Sequence, residues 1–255
     1  MTELGETIER VRDSVVAVMR LREVRRSKTG GRHGKKPDET IEYTVSFGSG
    51  FCVLDDRYVV TAFHVLNDGA PPQPNDHHYI FTVPANGDFA YMFPVIDIPV
   101  QHQEPDVAVL EIGPCVTPGI HVPAMPVSLR PPEDGQPVLT VGFPAPEVHG
   151  LSFDPHGTFV GGQFFLKSHA NRGIVAAHYR LVDLPMYELN VAWHHGESGG
   201  PIIALGEAPA AFSLMQQYRN VQTPHGTVPG PHRGVALSAV AEDLARLGVN
   251  VGSAV

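Results

Sequence analysis

The sequence predicts an all-β fold, a sandwich or barrel assembled from about a dozen short strands. Three observations carry this. Short apolar runs recur along the chain, separated by turn residues at intervals of about ten. Glycine and proline are abundant, 26 and 24 of 255 residues, as many tight connections require. Hydrophobic residues make up 42% of the chain, enough to bury a core and too many for a disordered one.

The elements follow in order. Leu4, Ile8 and Val11 recur at helical spacing and predict a short amphipathic helix over 4–12. A first strand opens at 15–18, and a Gly- and Lys-rich loop covers 28–38. Strands are expected at 41–47, 50–54 and 58–62, then as a pair at 79–83 and 92–98, with 106–112 closing a first set. Residues 114–137 have little periodicity. A second set is expected at 138–142, 158–166, 174–182, 187–191, 201–205, 211–217 and 234–239. A helix over 240–247 presents Ala241, Leu244 and Leu247 on one face, with Gly248 as its C-cap signal.

Composition narrows the function. Net charge is −9, which argues against a nucleic-acid footprint over the whole surface. Locally the balance reverses: Arg20, Arg22, Arg25, Arg26, Lys28, Arg32, Lys35 and Lys36 face only Glu23, a basic stretch that suits a solvated loop or an acidic or nucleic-acid partner. No apolar run approaches the ~20 residues that span a bilayer, and the polar, acidic N-terminus lacks the features of a signal peptide. Cys52 and Cys115 read as reduced thiols, with a single disulfide between them left open; together these features predict a cytoplasmic protein. The 14 histidines include the adjacent pairs His77-His78 and His194-His195, but no metal-ligand spacing occurs, so no metal or cofactor is expected.

The chemistry concentrates at Gly196-Glu197-Ser198-Gly199-Gly200-Pro201. A serine hydroxyl becomes a nucleophile only beside a base, with N–H groups placed to stabilise the oxyanion it creates. Flanking glycines permit a tight turn and leave those N–H groups unobstructed. The chain supplies a base in His64, after the run Tyr58-Val59-Val60, and an acid in Asp106, at the head of Val107-Ala108-Val109-Leu110. Asp97 and Asp154 are rival acids, the first placed before Ile98-Pro99 and the second in the second strand set.

The order His64, Asp106, Ser198 resembles that of trypsin-like serine proteases. Gly48-Ser49-Gly50-Phe51 before 58–66, the runs 106–112 and 138–144, and 234–237 followed by a helix are similar to segments of the HtrA (Deg) branch of that family. The resemblance spans most of 15–247 and implies two six-stranded antiparallel Greek-key barrels, chymotrypsin-like, with short terminal helices. On this reading 1–255 is one protease domain: a first barrel at about 13–113, a crossover at about 114–136, a second barrel at about 137–239, and no PDZ domain after the last helix. It also implies a serine endopeptidase with His64 as base, Asp106 as its orienting acid, Ser198 as nucleophile, and the N–H groups of Gly196 and Ser198 as oxyanion hole. Counting back from Ser198 puts Ala192 at the base of the substrate pocket, with Trp193, His195, Ser213, Leu214 and Met215 around it. A small or apolar side chain is expected there, not Arg or Lys. The chain departs from the family in Glu197, where Asn is common, in Phe63, and in the segment 190–195. The alternative is a latent or inactive binding module on the same fold that needs a partner to order its site.

Overall fold

The structure, a computed structural model, describes residues 2–27, 39–67, 73–84, 89–192, 194–224 and 226–252. Helix α1 (Glu3–Arg12) starts where the Thr2 hydroxyl accepts the Gly5 N–H at 3.2 Å, with Glu3 and Glu6 in its first turn and Arg10 and Arg12 in its last. Six strands then close a barrel in the order β1-β2-β3-β6-β5-β4. They are β1 (Val15–Ser27), β2 (Glu39–Leu54), β3 (Tyr58–Thr61), β4 (Asp76–Thr82), β5 (Tyr91–His102) and β6 (Val107–Ile112). Strand β1 is paired on both edges, with β2 and with β4, so Val15, Val16, Ala17, Val18 and Met19 are all buried. The one-turn helix α2 (Phe63–Asn67) sits between β3 and β4.

After β7 (Val127–Ser128) a second barrel closes in the order β13-β8-β11-β12-β15-β14, with β13 pairing β14. Its strands are β8 (Pro137–Gly142), β11 (His169–Leu181), β12 (Leu184–Leu189), β13 (Pro201–Ala204), β14 (Ala210–Thr223) and β15 (Gly226–Ala236). Helix α3 (Ala241–Arg246) ends at Gly248, whose φ of 81° suits a residue without a Cβ. Strand β16 (Val251–Gly252) joins β7 in parallel at the barrel's edge. The expected pair of six-stranded antiparallel barrels with short terminal helices is therefore present.

The structure corrects three local expectations. Residues 41–47 and 50–54 belong to one continuous strand, β2: Gly48 and Gly50 read as a break, but they serve close packing, because a Cβ on Gly48 would lie 2.4 Å from a methyl of Val65. Arg20–Arg26 lie on β1 and not in a loop. There Arg22 pairs with Asp76 at 2.6 Å, Arg25 with Glu23 and Arg26 with Glu42, and Arg20 is 6% exposed. The remainder of the basic stretch, 28–38, lies outside the described residues. Third, the hairpin of β9 (Glu147–Phe153) and β10 (Phe159–Phe165) has a first strand that polar and glycine residues concealed.

That hairpin leaves the second barrel and packs its rings on the first. Phe153 stacks on Tyr43 with centroids 4.4 Å apart, Phe159 meets Tyr79 at 4.8 Å, and Phe164 meets Phe81 at 5.2 Å. The Asp154 carboxylate, a rival acid by sequence, closes the hairpin turn by accepting the N–H groups of His156 and Thr158, both at 2.8 Å. Phe159 is 4% exposed and touches three rings. Phe159→Ala is expected to lower unfolding stability by about 3–5 kcal/mol, read as a shift in urea midpoint at unchanged slope.

Candidate active site

His64 and Asp106 meet in the first barrel. Asp106 Oδ2 lies 2.8 Å from His64 Nδ1, and Oδ1 accepts the His64 backbone N–H at 2.9 Å. One carboxylate thus fixes both the backbone and the ring of His64, leaving Nε2 as the free face of the imidazole. Asp106 lies just before β6 with φ of 65°, a left-handed conformation that aspartate tolerates better than most residues. Its carbonyl accepts the Phe63 N–H at 3.2 Å, which ties it to the start of α2. Asp97, the other rival acid, accepts the N–H of its own neighbour Ile98 at 2.8 Å.

The nucleophile loop docks against the same elements. Gly199 lies so close to β2 and β3 that a Cβ would stand 2.2 Å from the Ser49 carbonyl and 2.4 Å from Thr61 Oγ1. Ser198 follows on, half-buried, with its hydroxyl donating to the Gln216 carbonyl at 3.2 Å. Among the described residues it makes no hydrogen bond to His64.

The backbone of 195–198 has a one-sided polarity. Every carbonyl is engaged: His195 O by Ala145 N at 2.8 Å, Gly196 O by Ser49 Oγ at 2.7 Å, Glu197 O by Gly200 N at 3.0 Å and Ser198 O by Ser49 N at 2.8 Å. Among the described residues, the N–H groups of Gly196 and Ser198 have no acceptor. Two neighbouring donors without an acceptor can bind a negative charge.

Two residues that sequence reasoning did not assign organise this loop. Ser49, fully buried, donates its hydroxyl to Gly196 O and accepts the Phe143 N–H at 2.9 Å. Its position between two glycines is the signal that could have found it. Asn171 on β11 donates to Glu197 Oε1 at 3.4 Å. Glu197 itself is fully buried, and its Oε2 accepts the His194 N–H at 2.5 Å. Burial pushes the Glu197 carboxyl above its ordinary value; the bond from His194 N and the nearby His194 imidazole pull the other way.

The residues expected around the substrate pocket fall into two groups. Ala192 and His195 are exposed beside the nucleophile loop. Ser213, Leu214 and Met215 lie on β14 with no exposed surface, and Ser213 donates to the Val235 carbonyl at 2.7 Å. Trp193 lies outside the described residues. No group of three or more His, Cys, Asp or Glu residues able to hold a metal occurs among the described residues. Buried His78 contacts the Leu66 carbonyl at 2.9 Å, and burial lowers its proton affinity. Cys52 and Cys115 are separate free thiols, and burial raises Cys52 to about 11. Among the described residues, no helix is long and apolar enough to cross a membrane.

Two predictions follow from this geometry. Gly199→Ala places a Cβ against backbone at a φ of 86° and is expected to lower stability by more than about 2 kcal/mol in denaturant titration. Gly206→Ala, where a Cβ meets nothing, is expected to stay within about 0.5 kcal/mol of wild type. A carboxyl raised in the fold binds its proton more tightly there than in the unfolded chain. Its contribution is full below the ordinary value of 4.5 and is lost as pH rises through the raised one. Glu197→Gln is therefore expected to flatten this slope, so that its stability relative to wild type is more favourable at pH 8 than at pH 4, measured by paired urea titrations.

A structure described as the crystal structure of Deg5 superposes with a TM-score of 0.58 at 16% identity, covering 95% of this chain and 94% of the other. No curated protein sequence matches. The family profile "Trypsin-like peptidase domain" matches residues 48–207, a span that includes His64, Asp106 and Ser198. The chain belongs to the trypsin-like peptidase family.

Proposed function

We propose that the protein is a serine endopeptidase that cleaves protein or peptide substrates through His64, Asp106 and Ser198. The observation that carries this reading is the pair of N–H groups, Gly196 and Ser198, left open beside a serine hydroxyl while every adjacent carbonyl is tied back. Such a pair has chemical use where an oxyanion forms.

In this reading the Ser198 hydroxyl turns from the Gln216 carbonyl toward His64 and attacks the substrate carbonyl carbon. His64 Nε2 takes the hydroxyl proton as the C–O bond forms, and Asp106 holds the Nδ1–H tautomer and stabilises the imidazolium. The substrate oxygen, now negative, sits on the N–H groups of Gly196 and Ser198. Collapse breaks the C–N bond, His64 returns the proton to the leaving amine, and water repeats the sequence on the acyl-enzyme. Glu197, bonded to its own loop through His194 N, holds the oxyanion turn without a proteolytic activation step.

Arg and Lys are poor fits for the substrate pocket, because its base at Ala192 carries no charge. The two glutamates nearest to it in sequence are committed, Glu197 to its loop and Glu188 to Arg233 at 3.0 Å. Small or apolar side chains fit better. Two free thiols, one of them buried, suit a reducing compartment such as the cytoplasm.

One observation favours a second reading, a latent enzyme: the Ser198 hydroxyl rests on Gln216 and not on His64. A fluorophosphonate probe separates the two. Purified protein is expected to label at Ser198, Ser198→Ala not at all, and Asp106→Asn about 10⁴-fold more slowly. Folded wild-type protein that resists the probe when pure but labels in lysate would establish the latent form.

A further inference from the structure

We infer that Gln216 is a positioning residue that sets the orientation of Asp106 from the opposite barrel. The inference rests on the serine-peptidase reading for its catalytic consequence, but its geometry stands independently.

Strand β14 pairs regularly with the nucleophile loop up to Met215, which donates to Gly200 O at 2.8 Å and accepts from Gly199 N at 2.7 Å. Beyond it the ladder to β15 shifts register, from Met215↔Gly234 to Tyr218↔His232, so three steps on β14 match two on β15. Such a bulge re-aims the residues within it. Gln216 is the first of them. Its carbonyl turns to the Ser198 hydroxyl at 3.2 Å, and its side-chain amide crosses between the barrels to donate to the Pro105 carbonyl at 2.6 Å.

The Pro105 carbonyl belongs to the peptide unit whose nitrogen is that of Asp106. Fixing that peptide plane fixes φ of Asp106, which stands at 65°. The next peptide is fixed as well, because Phe63 N donates to the Asp106 carbonyl at 3.2 Å. Asp106 is thus held on both sides, once by the helix that carries His64 and once by the strand that carries Gln216. Pro105 is buried, so its carbonyl is costly to leave unpaired. Without the amide of Gln216 the left-handed aspartate has one fixed peptide in place of two, and its carboxylate loses alignment with His64 Nδ1. A sequence reader had no reason to select Gln216 from the pair Gln216-Gln217, since the bulge alone distinguishes them.

The test is Gln216→Met, which keeps length and volume, keeps the backbone carbonyl under Ser198 and removes only the N–H donor. With a peptide substrate, kcat is expected to fall about tenfold while KM stays within about twofold. The proton resonance of the His64 Nδ1–H, shifted downfield by its bond to Asp106, is expected to move upfield or broaden. Gln216→Asn, one methylene too short to reach Pro105, is expected to do the same and carries the test should the Met variant not fold. Wild-type kcat together with an unmoved resonance in either folded variant overturns the inference. A wild-type protein that never reacts with the fluorophosphonate removes the peptidase reading, while the resonance still decides the role of Gln216.

Discussion

The candidate active site depends on Ser49, a residue of the first barrel that is buried completely and satisfied at every polar atom. Its N–H donates to Ser198 O at 2.8 Å, its hydroxyl donates to Gly196 O at 2.7 Å and accepts from Phe143 N at 2.9 Å, and its carbonyl accepts from Thr61 Oγ1 at 2.7 Å. Three of these four bonds reach into the second barrel. A buried polar group left unpaired costs about 1–3 kcal/mol, so the two barrels cannot slide past one another without leaving several such groups exposed to no partner. The same bonds engage the carbonyls of Gly196 and Ser198, whose own N–H groups have no acceptor among the described residues.

Glu197 shows the cost of that arrangement. A carboxyl with no exposed surface is unfavourable unless charged or polar partners meet it. Here the partners are a backbone N–H three residues earlier and the Asn171 amide on β11. They are weaker than an ammonium group, and the carboxyl remains above its usual range. The loop therefore closes on itself: the carboxylate binds the turn that precedes it, and its burial is maintained by the packing of Gly142, where a Cβ would meet Glu197 Cβ at 3.0 Å.

Much of this was legible in the sequence, for physical reasons. The strands were visible because a barrel buries one face of each strand, and short apolar runs with turn residues between them follow from that. Ser198 was visible because glycines frame it, His64 because it follows an apolar run and Asp106 because it opens one. Ser49, Asn171 and Gln216 were not visible, since their roles come from partners distant in the chain: Ser49 to Gly196 and Gln216 to Pro105 across the barrels, and Asn171 to Glu197 within the second barrel. The wall expected at 211–215 followed from counting along the strand, which cannot reveal that Ser213, Leu214 and Met215 are all fully buried, Leu214 and Met215 in different core clusters. Strand β9 escaped because Glu147, His149, Gly150 and Ser152 break its apolar pattern; the hairpin is stabilised by rings that meet the other barrel, and by nothing in its own periodicity.

Four positive-φ residues lie in or beside the candidate site, Asp106 at φ 65°, Ala145 at 43°, Gly196 at 97° and Gly199 at 86°, and two of them carry a Cβ. Such conformations persist only where the surroundings over-determine them. Each here is clasped from another element: Asp106 by Phe63 and Gln216, Ala145 by the carbonyl of His195, Gly196 by Ser49, and Gly199 by Met215. Two of these clasps, Ser49 to Gly196 and Gln216 to Pro105, cross between the barrels, and the others lie within one barrel. An interface that loosens breaks both crossing bonds at once and leaves Gly196 O and the Pro105 carbonyl without these partners, at a cost of about 1–3 kcal/mol for each buried group.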